Sequence, residues 1–344
     1  MNRVVHTTWH CVVVACFVAF TAAAGLAEGA ESNSSGAIRH SRRIALSGTP
    51  GAVAVSGDGK TIVAASGRVL TAIDASSGTV LHRWEQSQDI IDISLSANGR
   101  LVAVTTGSPI IDIYDRETGE RSQQLHRADA ADYLRGDEQQ RIAFYPDGSK
   151  LISMGTHVRI FVSDVETGDW DHIMVVKYDA CTPVVAPDGK HVALFGMQDD
   201  SELSGQVTMF LIRRGLQPLW TKWHESREAV THAAFSPDGL RLASSGAGDG
   251  ARVWNVQSGE LITHVKGEQE ARLLGASFVV DGNHLLMVSP RTLQLRSLDR
   301  DAAVASVAIS EQDSLGGLAC SHDGAVVATF SSQAAVDVWS VQRP

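Results

Sequence analysis

The chain has 344 residues, of which 44% are apolar and 20% charged, a composition that can bury a sizeable core and excludes a disordered chain. Its formal net charge of -10 and pI near 5.7 argue against electrostatic binding to nucleic acid or to an anionic membrane surface, because both require clustered lysine and arginine. We therefore expect a globular protein whose partners do not include nucleic acid.

The N-terminal segment predicts export. A basic residue precedes an apolar and small-residue run from Cys11 to Ala27, and small residues close this run. The pattern predicts a secretory signal peptide over 1–27, followed by a flexible linker over 28–37 and a secreted or periplasmic protein without a membrane span. Two alternatives stay open: an uncleaved N-terminal membrane anchor, for which the run is slightly short, and a lipid-modified Cys16.

One hairpin pattern recurs along the rest of the chain. The stretch AFSPDGLRLAS, residues 234–244, sets alternating apolar residues around Asp-Gly, a strong signal for a tight turn whose two central residues both adopt positive φ. Seven such turns occur, with glycine-to-glycine intervals of 40, 49, 41, 50, 43 and 42 residues. They are Asp58-Gly59, Asn98-Gly99, Asp147-Gly148, Asp188-Gly189, Asp238-Gly239, Asp281-Gly282 and Asp323-Gly324.

A second turn follows a third strand in most repeats, as in SSG at 76–78 and ETG at 117–119, and a fourth strand leads to the next repeat. Four strands at this spacing predict an all-β, seven-bladed β-propeller of four-stranded antiparallel blades over 38–344. The chain ends after the third strand of the seventh repeat, so we expect the segment 38–48 to add the missing outer strand and close the ring. Cys181 and Cys320 then fall in different blades, and we expect both thiols to be unpaired.

The fifth repeat, residues 230–262, resembles a repeat of the WD (tryptophan-aspartate) family, with Asp249 in its second turn and Trp254 on its third strand. The resemblance continues, thinned, over about 300 residues. It implies a structural network of hydrogen bonds within the blade, formed here by His224, Ser245, Asp249 and Trp254. The other repeats lack this set, so we expect them to depend on apolar packing between neighbouring blades.

A weaker resemblance concerns residues 68–84, which are similar to the repeat of quinone-cofactor dehydrogenases and their non-catalytic relatives. In that repeat a tryptophan about four residues after the closing glycine docks against the next blade; here His82 holds that place and Trp84 follows. This resemblance keeps open a cofactor-binding or hydrolytic propeller enzyme, quinoprotein-like or lactonase-like. The first strands of the repeats are small and apolar, and zinc and hydrolase motifs are missing, so we expect no catalytic residue and no cofactor.

The two longest intervals contain acidic insertions, one leading into the third repeat and one between the second and third strands of the fourth. In a WD-type blade both connections emerge on the same face, and loops on a rigid scaffold commonly carry binding residues. We expect them to bind a basic or metal-bearing protein partner, with Tyr133 and Leu134 as apolar anchors. The predicted partner-binding residues are Asp129, Asp132, Tyr133, Leu134, Asp137, Glu138, Asp199, Asp200 and Glu202.

Two other interpretations of the insertions stay open. They are solvated loops without a partner, or Asp199, Asp200 and Glu202 hold calcium, although their spacing matches no calcium loop closely. The sequence therefore favours an exported, monomeric, non-enzymatic protein–protein interaction scaffold. A repeat protein that stabilises a larger envelope assembly is a third possibility besides the enzyme.

Overall fold

The structure, a computed structural model, describes residues 37–126, 139–155, 159–175, 180–198, 204–212, 216–224, 229–246, 248, 250–266, 272–279, 281–300 and 302–343. The predicted signal peptide and nearly all of the predicted linker lie outside these residues. Within them the chain forms 28 β-strands and no helix. The described residues accordingly contain no helix long and apolar enough to cross a membrane.

The strands form seven antiparallel sheets of four strands each, the seven blades. Blades one and two contain β2 (Ala52–Val55), β3 (Thr61–Ser66), β4 (Val69–Asp74), β5 (Val80–Glu85), and β6 (Asp92–Leu95), β7 (Leu101–Thr105), β8 (Ile110–Asp115), β9 (Arg121–His126). Blades three and four contain β10 (Gln139–Phe144), β11 (Lys150–Gly155), β12 (Arg159–Asp164), β13 (Trp170–Val175), and β14 (Ala180–Val185), β15 (His191–Gln198), β16 (Ser204–Ile212), β17 (Leu216–Trp223). Blades five and six contain β18 (Val230–Phe235), β19 (Arg241–Gly246), β20 (Gly250–Asn255), β21 (Leu261–Val265), and β22 (Gly275–Val279), β23 (His284–Val288), β24 (Thr292–Ser297), β25 (Ala302–Ala308). Blade seven contains β26 (Leu315–Cys320), β27 (Val326–Ser331), β28 (Ala335–Val341) and, from the N-terminus, β1 (Ile38–Ala45).

The blades form a closed ring around a central channel. The first strand of each blade contacts the first strand of the next, from β2 against β6 to β22 against β26, and β2 also contacts β26. The predicted seven-bladed propeller of four-stranded blades is therefore confirmed.

The hairpin between the first two strands of a blade is longer than the sequence suggested. In blade one, residues 56–60 connect β2 to β3; the Ser56 hydroxyl donates to Asp58 Oδ1 at 2.6 Å and accepts from Thr61 N at 3.0 Å. Among the described residues of these turns, only the glycines have positive φ, between 65° and 72°. The expectation of two central residues at positive φ was wrong, because the aspartate accepts from Lys60 N at 3.0 Å and stays right-handed while the glycine alone reverses the chain.

The core consists of seven apolar clusters, each shared by two neighbouring blades. In one of them, Ile152 and Ile160 of blade three pack with Val192, Leu194 and Phe210 of blade four. Each blade is thus apolar on both faces and needs a neighbour on each side. The expected packing between blades is confirmed.

The N-terminal strand closes the ring, as predicted. β1 pairs antiparallel with β28, from Ile38 opposite Val341 to Ala45 opposite Ala335. The Ile38 side chain is fully buried between blades six and seven. The outer strand that the seventh repeat lacks is therefore supplied from the other end of the chain.

An ionic contact reinforces this closure. Arg43 Nη2 of β1 donates to Asp313 Oδ2 at 2.6 Å and to Ser331 Oγ at 2.7 Å. Asp313 lies in the connection from blade six to blade seven, and its carboxylate is buried. One side chain of β1 therefore ties the closing strand to β27 and to the connection from the preceding blade.

The structure describes the side chain of one of the two predicted unpaired thiols. Cys320 is a free thiol at the end of β26, and burial raises its pKa to about 12, which keeps it protonated. The side chain of Cys181 lies outside the described residues, so its state stays a prediction.

Replacing Ile38 by Asp places a carboxylate in the seam that closes the ring. We expect Ile38→Asp to lower the free energy of unfolding by about 3 kcal/mol or more, because a buried charge without a partner is costly. Urea denaturation followed by circular dichroism measures the loss. Arg39→Asp is the matched control, since Arg39 is the next residue of β1 and is exposed. Equal losses in the two variants would contradict a closing role for the buried face of β1.

Candidate functional site

Two ends of each blade define two faces of the propeller. The connection into the first strand and the connection from the second to the third strand emerge at the same end, as Gln139 opposite Gly155 and Gln198 opposite Ser204 demonstrate. We call this end the upper face, and the hairpins carrying the glycine turns lie on the lower face.

The strand ends that flank both acidic insertions lie on the upper face of neighbouring blades, since β10 contacts β14. The insertions themselves lie outside the described residues. This holds for all nine predicted partner-binding residues, which are Asp129, Asp132, Tyr133, Leu134, Asp137, Glu138, Asp199, Asp200 and Glu202. Their role therefore stays a prediction, as does the calcium alternative.

The hydrogen-bonded network of blade five is present with one residue changed. His224 Nε2 lies 2.8 Å from Ser244 Oγ, and the Trp254 indole N–H donates to the same oxygen at 2.8 Å. The prediction of Ser245 in this network was wrong, and Ser244 takes its place. Adjacent residues of a strand project to opposite faces of the sheet, so Ser245 faces away from Trp254. Asp249 lies outside the described residues.

Blade seven contains a second network of this kind, which was not predicted from the sequence. The Trp339 indole N–H donates to Thr329 Oγ1 at 2.9 Å, and the His40 ring packs edge-on against the indole at 4.7 Å. His40 Nε2 lies 2.8 Å from Asp337 Oδ1, a residue 297 positions away in the sequence. The tryptophan was visible in the repeat, whereas its histidine comes from the opposite end of the chain.

Side chains of the outer strands dock on the closing turns of the next blade. The Trp84 indole donates to the carbonyl oxygen of Gly119 in blade two at 2.8 Å. A Cβ on Gly119 would lie 2.6 Å from the His82 ring, so this turn requires glycine. Trp220 repeats the arrangement on blade five, with its indole 2.8 Å from the carbonyl oxygen of Val256. Tryptophan side chains of the outer strands therefore dock on the next blade in blades one and four.

Polar side chains of the first strands bridge neighbouring blades at the channel. Asp92 Oδ2 accepts from Ile142 N of blade three at 3.0 Å, and Ser94 Oγ accepts from Phe144 N at 3.0 Å. The first strands therefore carry polar side chains with a structural role that the sequence did not predict. These side chains satisfy backbone groups on the inner edge of the adjacent blade, which no further strand covers.

Burial shifts the pKa values of two polar side chains of the first strands, Asp92 and His232, in opposite directions. Burial raises the pKa of Asp92 to about 6 despite the neighbouring Arg141 guanidinium. Burial also lowers the pKa of His232 to about 4, and the neutral ring donates through Nδ1 to the carbonyl oxygen of Ala276 at 3.1 Å. Among the described residues, no group of three potential metal ligands converges in the channel or elsewhere.

The fold and the inter-blade contacts define a seven-bladed propeller with WD-like and quinoprotein-like features. The family model described as outer membrane protein assembly factor BamB matches residues 24–174, and the WD domain, G-beta repeat model matches residues 217–255. Both resemblances stated from the sequence are thereby confirmed. No curated protein shows significant similarity to the chain.

Replacing Ser244 by Ala removes the hydroxyl that contacts both His224 Nε2 and the Trp254 indole N–H. We expect Ser244→Ala to lower the free energy of unfolding by about 1–3 kcal/mol. Ser245→Ala is the control on the same strand; its buried hydroxyl has no hydrogen-bond partner in the described part of the chain, and we expect a change within about 0.5 kcal/mol. Urea denaturation of both variants measures the difference. A larger loss for Ser245→Ala would contradict the assignment of the network to Ser244.

Asp92 and His232 make opposite contributions to the pH dependence of stability. An aspartate with a folded pKa of about 6 favours folding at low pH, and this contribution is lost as the pH rises from about 4 to 6. A histidine with a folded pKa of about 4 favours folding at neutral pH, and this contribution is lost as the pH falls from about 6.5 to 4.

We therefore expect the two variants to change the acid sensitivity of the native chain in opposite directions. Asp92→Asn should lose more stability than the native chain between pH 7 and pH 4.5, and His232→Gln should lose less, in urea denaturation at each pH. Both replacements keep a group that can make the hydrogen bond to the adjacent blade. Parallel pH profiles for all three proteins would show that neither group titrates in this window.

Proposed function

We propose that the protein is a non-enzymatic protein–protein interaction scaffold in an extracytoplasmic compartment, binding its partner on the upper face at blades three and four. The observation that carries the proposal is the position of the two acidic insertions, whose flanking strand ends lie on the same face of adjacent blades. Loops of this kind on a rigid ring are a common location for binding residues.

Charge supports a basic partner surface. The insertions contribute all seven carboxylates predicted to bind the partner, and they belong to a chain with a formal net charge of -10. Complementary charge raises the rate of encounter and disfavours acidic partners. Tyr133 and Leu134 would add the apolar contacts that charged loops alone do not provide.

The groups with shifted pKa values support a structural interpretation of the channel. Asp92 and His232 are each engaged with a backbone group of the next blade, at 3.0 Å and 3.1 Å. A catalytic acid or base must instead reach a substrate proton. The match of residues 24–174 to a family with quinoprotein-type repeats keeps the cofactor-binding enzyme as the second candidate.

The same match supports an envelope location, since the matching family model is described as an outer membrane protein assembly factor. For this chain, an assembly role outside the cytoplasm agrees with the predicted signal peptide over 1–27. A scaffold that holds partners in a larger envelope assembly would need no catalytic group.

Affinity capture from the host's envelope extract tests the proposal with three full-length baits. The first is the native chain, and the second replaces the seven predicted acidic residues of the insertions with Asn or Gln. The third neutralises exposed lower-face carboxylates in the same way, and its changes are Glu117→Gln, Glu120→Gln, Glu166→Gln, Asp169→Asn, Glu260→Gln and Asp299→Asn. All three must first show the same circular dichroism and thermal unfolding.

We expect one partner to be retained by the native bait and by the lower-face variant, and lost from the insertion variant. Retention by all three baits would place binding elsewhere on the ring. If none of the baits retains a protein, the scaffold proposal fails, and a cofactor absorbance spectrum becomes the test of the second candidate.

A further inference from the structure

The outer strand of blade seven carries a positive charge that contrasts with the rest of the chain. Four of the eight residues of β1 are basic and none is acidic, whereas the whole chain has a formal net charge of -10. The side chains of His40 and Arg43 already contact buried carboxylates of blade seven and of the connection before it. The other two basic residues, Arg39 and Arg42, are exposed.

Arg39 and Arg42 project from β1 toward blade one. Paired residues project to the same face of a sheet, and Arg42 lies opposite Val338, which belongs to the apolar cluster shared with blade one. Arg39 lies opposite Ser340, which shares the face of Val338 because residues two apart along a strand project to the same side. Arg42 Nη2 reaches the closing turn of blade one, where it donates to the carbonyl oxygen of Ser76 at 3.0 Å.

A third arginine projects into the same space from blade one. Arg83 of β5 lies opposite Thr71, which shares its face of the sheet with Ile73. Ile73 packs with Val338 of blade seven, and Arg83 is exposed. We call the space between β1 and β5 the arginine seam, since it is lined by Arg39, Arg42 and Arg83.

The carboxylates that border the arginine seam have partners of their own. Glu85 shares the face of Arg83 and lies 3.9 Å from Arg68 Nη2. Asp74 Oδ1 accepts from two backbone N–H groups of the closing turn of blade one, at 3.1 Å and 2.7 Å. Arg39 and Arg83 form no ion pair within the part of the chain that the structure describes. Their guanidinium groups are therefore available to an external carboxylate.

The arginines are spread along the height of the seam. β1 and β5 both run from the lower to the upper face, because Ile38 lies opposite the end of β28 and β5 follows the closing turn of blade one. Arg39 and Arg42 lie opposite residues two positions apart on β28, a rise of about 7 Å. Alternate residues of an extended peptide have the same spacing. The seam therefore suits an extended segment with acidic residues at alternate positions.

Arginine chemistry favours a carboxylate at this site. A guanidinium group presents a planar fork of N–H donors that binds both oxygens of one carboxylate. The bond from Arg42 to Ser76 leaves its remaining N–H groups to donate to a ligand. The net charge of the chain disfavours approach to an anionic membrane surface, whereas a short segment inside the seam responds to charges within about 8 Å.

We propose that the arginine seam binds an extended acidic segment of a partner protein, whose alternate carboxylates pair with Arg39, Arg42 and Arg83. The site lies on the outer rim between blades seven and one, so it is separate from the insertions at blades three and four. It adds a second recognition site, of opposite charge, to the proposed scaffold. A ring with both sites would hold an acidic and a basic partner at the same time.

A capped, fluorescein-labelled nonapeptide that alternates glutamate with threonine is the probe, and the same peptide with glutamine in place of glutamate is the charge control. Fluorescence anisotropy on the full chain measures binding at low and high salt. The test variant combines Arg39→Gln with Arg83→Gln and keeps Arg42, which contacts the next blade. The matched control combines Arg272→Gln with Arg300→Gln, which removes the same charge from exposed positions outside the seam.

We expect the glutamate peptide to bind the native chain and the glutamine peptide not to bind. The test variant should bind the glutamate peptide about tenfold more weakly, the scale of two exposed ion pairs, and the matched control should bind it as the native chain does. High salt should weaken binding, because mobile ions screen exposed charges. All three proteins should show the same thermal unfolding.

Two results of the titration would overturn the inference: no binding of the glutamate peptide, or equal losses in the test variant and the matched control. Cosedimentation with vesicles of equimolar phosphatidylcholine and phosphatidylglycerol is measured in parallel. Vesicle binding that the test variant loses would assign the seam to a membrane surface and reject the peptide site.

The titration uses the purified chain and is therefore independent of the capture experiment, which depends on the acidic insertions. A partner captured through the insertions, together with a glutamate peptide that does not bind, would leave the scaffold in place and reject only the arginine seam.

Discussion

The pairing of β1 with β28 is the constraint on which the rest of the molecule depends. Every blade is apolar on both faces, and its clusters are shared with two neighbours. An open chain of seven blades would leave two such faces and one unpaired edge in water. Closure buries both faces and pairs the edge of β28, so the burial of one short N-terminal strand stabilises contacts around the whole ring.

Closure also determines where backbone groups remain available. At the channel, side chains such as Asp92 and Ser94 bond to the inner edge of the next blade. Within a blade, the second and third strands are paired on both sides, so the β-ladders satisfy their backbone N–H and C=O groups. Among the described strands, the outer strand of each blade keeps an edge that faces away from the ring, and a binding partner can meet unpaired backbone there without disrupting the ring.

The ring architecture could be predicted from the sequence because its signals are local. A glycine in the left-handed region is needed at each hairpin, so seven glycines mark seven blades and their register. The pairing of Ser244 with Trp254 could not be predicted, since an offset of one residue reverses the face of the strand. Likewise, the neighbours of His40 and of Asp92 come from a distant part of the chain and from the next blade.

The sequence predicted the position of the candidate partner site on the ring, but not the contacts that its residues make. The reason lies in the different construction of the two faces. On the lower face, the closing turns satisfy themselves: Asp74 Oδ1 accepts from the amides of Ser76 and Ser77 at 3.1 Å and 2.7 Å. Docking from the previous blade also restricts these turns, because a Cβ on Gly119 would meet the His82 ring.

Such turns tolerate little change in length. Both long intervals of the repeat arise on the upper face, away from these turns. Insertions therefore collect on the one face where they disturb neither the turns nor the docking contacts. In a sequence with a regular repeat, the intervals that exceed the usual length therefore indicate which face of the propeller carries the insertions.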